Sequence, residues 1–126
     1  MQKFSIDDSA LTSEYGIHIG RWEQYAAAAG LPFSAMWCQV PANSRSVLDH
    51  HPEVELAVVV GGDAVFTVNG EDTAAPAGSA ILLTPGDRHV ITAGDEPVRI
   101  LSIYWLPDGP AATGTEPEQA AAADAR

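Results

Sequence analysis

Apolar residues come in short runs between Pro32 and Trp105, and turn-forming residues separate them. The runs are "FSAMWCQV", "VLDHH", "VELAVVV", "AVFTV", "EDTAA", "SAILLT", "RHVITA" and "VRILSIYW". Between them stand "PANSRS", Pro52, "GGD", "NG", "PAG", "PGD" and "GDEP". Segments of this length, bounded by Gly, Pro, Asn and Asp, read as strands. About eight antiparallel strands follow, with hairpins at Gly61–Asp63 and Asn69–Gly70; Asn-Gly is the preferred pair for a tight two-residue turn. Nothing alternates strand with long helix, so a parallel α/β sheet is excluded. The expected architecture is all-β: a small barrel or double-sheet jelly roll over residues 32–107.

Residues 1–31 form an N-terminal arm of different texture. "EYGIHIGRW" reads as a short strand. "RWEQYAAAAG" reads as a short helix, favoured by its alanines and ended by Gly30. Pro32 blocks its continuation. Residues 108–126, "DGPAATGTEPEQAAAADAR", are rich in Ala, Pro, Gly and acid and hold no aromatic residue. They cannot bury enough apolar surface to offset ordering entropy, which predicts a flexible acidic tail.

Composition narrows the function. A chain of 126 residues suits one domain with one core. Its formal charge of −11 arises from 17 acids against 6 bases. Phosphate backbones and anionic membranes repel such a chain, so no nucleic acid and no membrane is expected as partner. A small-molecule substrate fits instead. The single cysteine, Cys38, excludes an internal disulfide framework and reads as a buried small hydrophobe. The start "MQKFSIDDSALTSEYG" has no apolar core of a secretory signal, which points to a cytoplasmic location.

Against this background "LDHHPEVELAVVV", Leu48 to Val60, stands out, because acids and imidazoles lead directly into an aliphatic strand. In an extended "SVLDHH", Asp49 and His51 share one face with Arg45 and Val47, and His50 points the other way. Pro52 breaks the strand, Glu53 reads as part of a solvated turn, and Glu55 returns to the side of His51 at the start of the next strand. Further on, Pro85-Gly86 makes a turn and His89 opens another strand. Arg45 is a candidate for holding a substrate carboxylate, since its planar fork donates two parallel bonds; a surface ion pair is the competing role. Tyr104, Ser102, Gln39 and Trp37 are candidates for the mouth of the barrel. His18 reads as a non-ligand.

The two segments together resemble the cupin superfamily. The first cupin motif has a histidine, any residue, a second histidine, a glutamate three or four residues on, and a glycine after six more. Here these places fall on Asp49, His51, Glu55 and Gly62. The second motif runs from a glycine through a Pro-x-Gly type of turn to a histidine and then an asparagine; here Gly78, Pro85-Gly86 and His89 match, while Ala93 stands for the asparagine and Thr84 where one variant has proline. The resemblance covers about residues 32–106. It implies a cupin-type double-stranded β-barrel with one divalent transition metal, zinc or iron first among them, held by His51, Glu55 and His89. Asp49 stands where a histidine is expected. It is either a fourth ligand or a free general base beside the metal. A second register, with His50 as ligand, is also open.

The resemblance further implies a small metal-dependent enzyme acting on a small, amino-acid-derived molecule in a biosynthetic pathway. "VPANSRSVLDHHPEVELAVVVGG" with "RILSIYW" is similar to the zinc-binding cupin modules of hydrazine-forming enzymes, which places nitrogen–nitrogen bond formation beside dioxygenation and isomerisation. The alternative is a non-catalytic ligand-binding or sensing module, like the barrel of arabinose-type regulators. An uncovered sheet edge invites pairing, so a homodimer is expected, with Ile17–Trp22 extending a neighbour's sheet.

Overall fold

The computed structural model describes residues 1–108. Most of the expected tail therefore lies outside the described residues. Nine strands occur among them: β1 (Thr12–Glu14), β2 (Ile17–Arg21), β3 (Ser34–Val40), β4 (Val54–Gly61), β5 (Asp63–Val68), β6 (Glu71–Pro76), β7 (Ala80–Leu83), β8 (His89–Ala93) and β9 (Val98–Trp105). They make two antiparallel sheets. One has the order β1-β2-β3-β9-β4-β7, the other β6-β5-β8. This is the all-β jelly roll predicted from the spacing of apolar runs.

Alternation decides which side chains meet. On β9 the buried residues are Val98, Ile100, Ser102 and Tyr104, with the residues between them more exposed. On β4 they are Glu55, Ala57 and Val59. Phe66 on β5 and Ile91 on β8 face them from the smaller sheet, and Met36, Cys38 and Val40 complete the core from β3. Strands buried on one face and lying in two opposed sheets need this period of two.

Three local expectations need correction. Gly61–Asp63 is not a hairpin: β4 pairs with β7 and β9, whereas β5 pairs with β6 and β8, so the chain crosses between sheets there. Gly62 allows the crossing, because its φ of +77° suits glycine and a Cβ would lie 2.3 Å from the carbonyl oxygen of Pro97. The helix read from "RWEQYAAAAG" is two 3-10 turns, Trp22–Gln24 and Ala26–Ala28. Aromatic packing of Trp22 against Phe4 and Trp37 outweighs helix propensity in so short a segment. Lastly, β2 lies between β1 and β3, so both its edges are used within the chain and it cannot extend a neighbour's sheet. Asn69–Gly70 does form the expected turn, with φ of +51° and +85° between the paired Val68 and Glu71.

The arm also meets the barrel. A second tight turn, Tyr15–Gly16, joins β1 to β2. The Tyr15 carbonyl accepts the Val47 amide at 2.9 Å. Among the described residues no helix is long and apolar enough to cross a membrane.

Candidate metal centre

The segment before β4 runs beside β8 without becoming a regular strand. Two isolated bridges mark it, Arg45 opposite Thr92 and Asp49 opposite His89. Between them the pairing slips by one residue: the Ile91 amide bonds to the Ser46 hydroxyl at 2.9 Å, and the Ser46 amide to the Ile91 carbonyl at 2.9 Å. A slip of one residue reverses side-chain parity. Asp49 therefore turns inward while Arg45 is exposed, and Arg45 is not among the described residues lining the central cavity. Tyr104 is buried in the core, paired across from Glu55 on β9, and is likewise absent from that lining.

The two sequence segments are fastened backbone to backbone. Asp49 and His89 exchange both amide–carbonyl bonds, at 3.1 and 2.9 Å, and the Gly86 amide bonds to the His51 carbonyl at 2.9 Å. The Pro85-Gly86 turn is held by Asp87, whose carboxylate accepts from the Thr84 amide, the Thr84 hydroxyl and the Asn69 side-chain amide. These bonds, the Asn69 one foremost, hold its carboxyl below the usual range. His89 follows this turn, and its Nδ1 donates to the Asp87 carbonyl at 3.1 Å.

His51, Glu55 and His89 are between 2% and 3% exposed. Asp49 is partly buried, whereas His50 is exposed, with its amide on Asp49 Oδ1. His51, not His50, is thus the histidine facing the interior. One ligand atom each from Asp49, His51 and His89 can be chosen so that all lie within 4.8 Å of one another. Glu55 lies among them, its Oε1 3.0 Å from His51 Nε2 and 4.0 Å from His89 Nε2. Its other oxygen accepts from the Ser102 hydroxyl at 2.7 Å.

The tautomers test whether a metal suits this group. His51 Nδ1 lies 3.2 Å from the Glu53 carbonyl, which only accepts, so the proton of a neutral ring sits on Nδ1. The same holds for His89 and the Asp87 carbonyl. His51 Nε2 then turns its lone pair to Glu55 Oε1 at 3.0 Å, and His89 Nε2 lies 4.0 Å from the same oxygen. Acceptor against acceptor at 3.0 Å is repulsive unless a proton or a cation lies between. A metal ion among them would satisfy these groups together. Ligand atoms on a tetrahedral zinc are about 3.3 Å apart, and the observed separations of 3.0 and 4.0 Å bracket that value. Each Nδ1–H bonded to a backbone carbonyl is also the arrangement that orients a metal-binding histidine. The donor set fits a divalent transition metal.

The sequence reading missed Glu53. It is not on a solvated turn: it is 4% exposed, its Oε1 lies 3.4 Å from His51 Nδ1, and that oxygen has no hydrogen-bond partner. The missed signal was parity. Burial alternates without interruption from His51 through Glu53 and Glu55 to Val59, so Pro52 does not reset the faces. Beside the cluster is a small cavity. Room for the centre of a water-sized sphere within it is about 20 Å³, space for a water molecule or an ion. Its wall is mainly apolar and includes Tyr15, Ile17, Met36, Cys38 and Ile91 along with Asp49, Glu55 and His89.

This fold and donor set agree with the comparison to known proteins. The sequence pattern of the Cupin domain matches residues 36–104, more than half of the chain. The chain belongs to the Cupin domain family. Solved structures share the cupin fold. The plu4264 protein of Photorhabdus luminescens is 25% identical, with a TM-score of 0.76 over 84% of this chain and 88% of that one. A Cupin 2 conserved barrel domain protein of Salinispora arenicola is 24% identical, with a TM-score of 0.77 over 86% and 91%. A predicted oxalate decarboxylase of Thermotoga maritima is 20% identical, with a TM-score of 0.65 over 82% and 99%.

Proposed function

We propose that this cupin is a metal-dependent enzyme acting on a small molecule. The observation that carries the reading is that Asp49, His51 and His89 offer ligand atoms within 4.8 Å of one another, with Glu55 Oε1 3.0 Å from His51 Nε2 and 4.0 Å from His89 Nε2. His51, Glu55 and His89 hold the ion. When bound, zinc or iron supplies Lewis-acid polarisation of a substrate oxygen. Ser102 keeps Glu55 turned toward the imidazoles. Asp49 is partly buried and stands in the cavity wall; it either joins the ion as a ligand or, beside it, takes and returns a substrate proton. The isoleucines and Met36 make the wall beside the ion mainly apolar, and a substrate larger than a water molecule requires that wall to move. Isomerisation, dioxygenation and the rearrangement that joins two nitrogens all fit such a centre. An amino-acid derivative is the substrate class implied by the sequence resemblance.

The experiment is metal analysis of tag-free protein by mass spectrometry, followed by substitution. A stoichiometric transition metal is expected in the wild type. His89→Ala and Glu55→Ala should lose it while the β circular-dichroism spectrum persists, and His50→Ala should keep it. Full occupancy in both ligand variants would refute the assignment. Asp49→Asn separates its roles: metal kept with turnover lost marks a base, whereas metal lost marks a ligand.

A further inference from the structure

We infer that Glu53 is a positioning residue that sets the metal affinity of this site by acting through His51, an inference that rests on the metal reading above. His51 lies between two buried carboxylates. Glu55 Oε1 is 3.0 Å from its Nε2, and Glu53 Oε1 is 3.4 Å from its Nδ1. Glu53 contributes its backbone as well, since its carbonyl takes the Nδ1–H at 3.2 Å. The backbone contact alone fixes the tautomer. The carboxylate therefore serves another purpose.

A carboxylate in this place is costly to the fold. It is 4% exposed, and its inward oxygen has no hydrogen-bond partner. Burying such an oxygen costs stability unless something compensates. An apolar residue would satisfy the alternation of β4 equally well, as Ala57 and Val59 do farther along the same face. The compensation is electrostatic and local. A negative charge behind Nδ1–H draws that proton outward and makes Nε2 a stronger donor to a cation on the far side of the ring. It also adds a third carboxylate to Asp49 and Glu55, so a divalent ion enters a pocket whose charge exceeds its own. With the His51 ring neutral, Glu53 is thus unfavourable in the metal-free protein and favourable in the loaded one.

That opposition gives a test with a sign. Full-length wild type, Glu53→Gln and Glu53→Asp are stripped of metal. Zinc affinity is measured by competition with a chelating dye, thermal midpoints are taken without metal, and Co²⁺ absorption spectra are recorded. Gln keeps the shape and removes the charge. Glu53→Gln should bind zinc about 10–100-fold more weakly, while its metal-free midpoint is equal to or above that of the wild type. The Co²⁺ bands should keep the intensity of an intact ligand set and shift in energy. Glu53→Asp, which restores the charge, should recover part of the affinity. Wild-type zinc affinity in Glu53→Gln, within about threefold, would overturn the inference and leave the metal site standing. A metal-free midpoint well below wild type, or failure to fold, would show a structural carboxylate and overturn it equally. A wild type that binds no zinc and no Co²⁺ would bring down the metal reading itself.

Discussion

Replacing Glu55 by Gln should make the metal-free protein more stable and the metal-supplied protein less so. In the wild type, Glu55 Oε1 faces His51 Nε2 at 3.0 Å, lone pair to lone pair. A glutamine in the same place turns its oxygen to the Ser102 hydroxyl, now 2.7 Å from Oε2, and its NH₂ to Nε2. The contact becomes a hydrogen bond with a net value of about 0.5–1.5 kcal/mol, and a buried charge disappears as well. A domain of this size class shifts its midpoint by about 4–8 °C per kcal/mol, so Glu55→Gln without metal should melt about 2–12 °C above wild type. Zinc at about 100 times its dissociation constant stabilises the wild type by about 2.7 kcal/mol, or about 11–22 °C, and should leave the variant unmoved. Differential scanning fluorimetry with and without zinc, after chelation and dialysis, reads both shifts. A metal-free variant that melts below wild type and still rises with zinc would refute the tautomer argument and with it the ligand set.

Asp87 has its carboxyl held low by Asn69 and Thr84, so its contribution is complete above the ordinary carboxylate pKa of about 3.9 and is lost as pH falls through the lower folded value. Urea midpoints measured from pH 6 down to 2 should fall less steeply in Asp87→Asn than in wild type; equal slopes would show that the turn does not depend on this charge. Gly62→Ala should lose at least about 1–3 kcal/mol, since the new Cβ combines a left-handed φ with a 2.3 Å approach to the Pro97 carbonyl; a midpoint unchanged from wild type would contradict the crossing geometry. Light scattering at micromolar concentration should give a homodimer. We propose that the contact uses the outward face of β7 and β9, where Leu82 and Trp105 are 59% and 38% exposed, so that Leu82→Glu yields monomer. A wild type that is already monomeric would sink the dimer.

Much of the fold was legible because period-two alternation and turn chemistry agree from β3 to β9. Asn69–Gly70 carried its own conformation. Gly61–Gly62 looked equally turn-like, yet partner choice is not local: which sheet receives β5 depends on Phe66 reaching a core that β9 and β3 build from a distance. His51, Glu55 and His89 were named through the resemblance to the cupin motifs, and strand parity puts the first two on one face. Arg45 could not be placed, since a single side-chain bond from Ser46 shifts the register between it and Asp49. Glu53 was hidden by the expectation that a proline ends a strand face and that a carboxylate beside it is wet. Proline at the start of an edge segment breaks neither, because its missing N–H is not needed there.

The Tyr15–Gly16 turn lies some thirty residues before Asp49 in the chain, yet it is bonded to Val47 and gives a side chain to the cavity wall. The candidate metal ligands and part of the wall beside them are therefore encoded apart. Exposed positions of the arm can change while residues 49 to 89 stay fixed, whereas Ile17 and Ile19 are tied to the common core. On the proposed function, variation at Tyr15 and its exposed neighbours would change the wall beside the metal group while leaving His51, Glu55 and His89 in place.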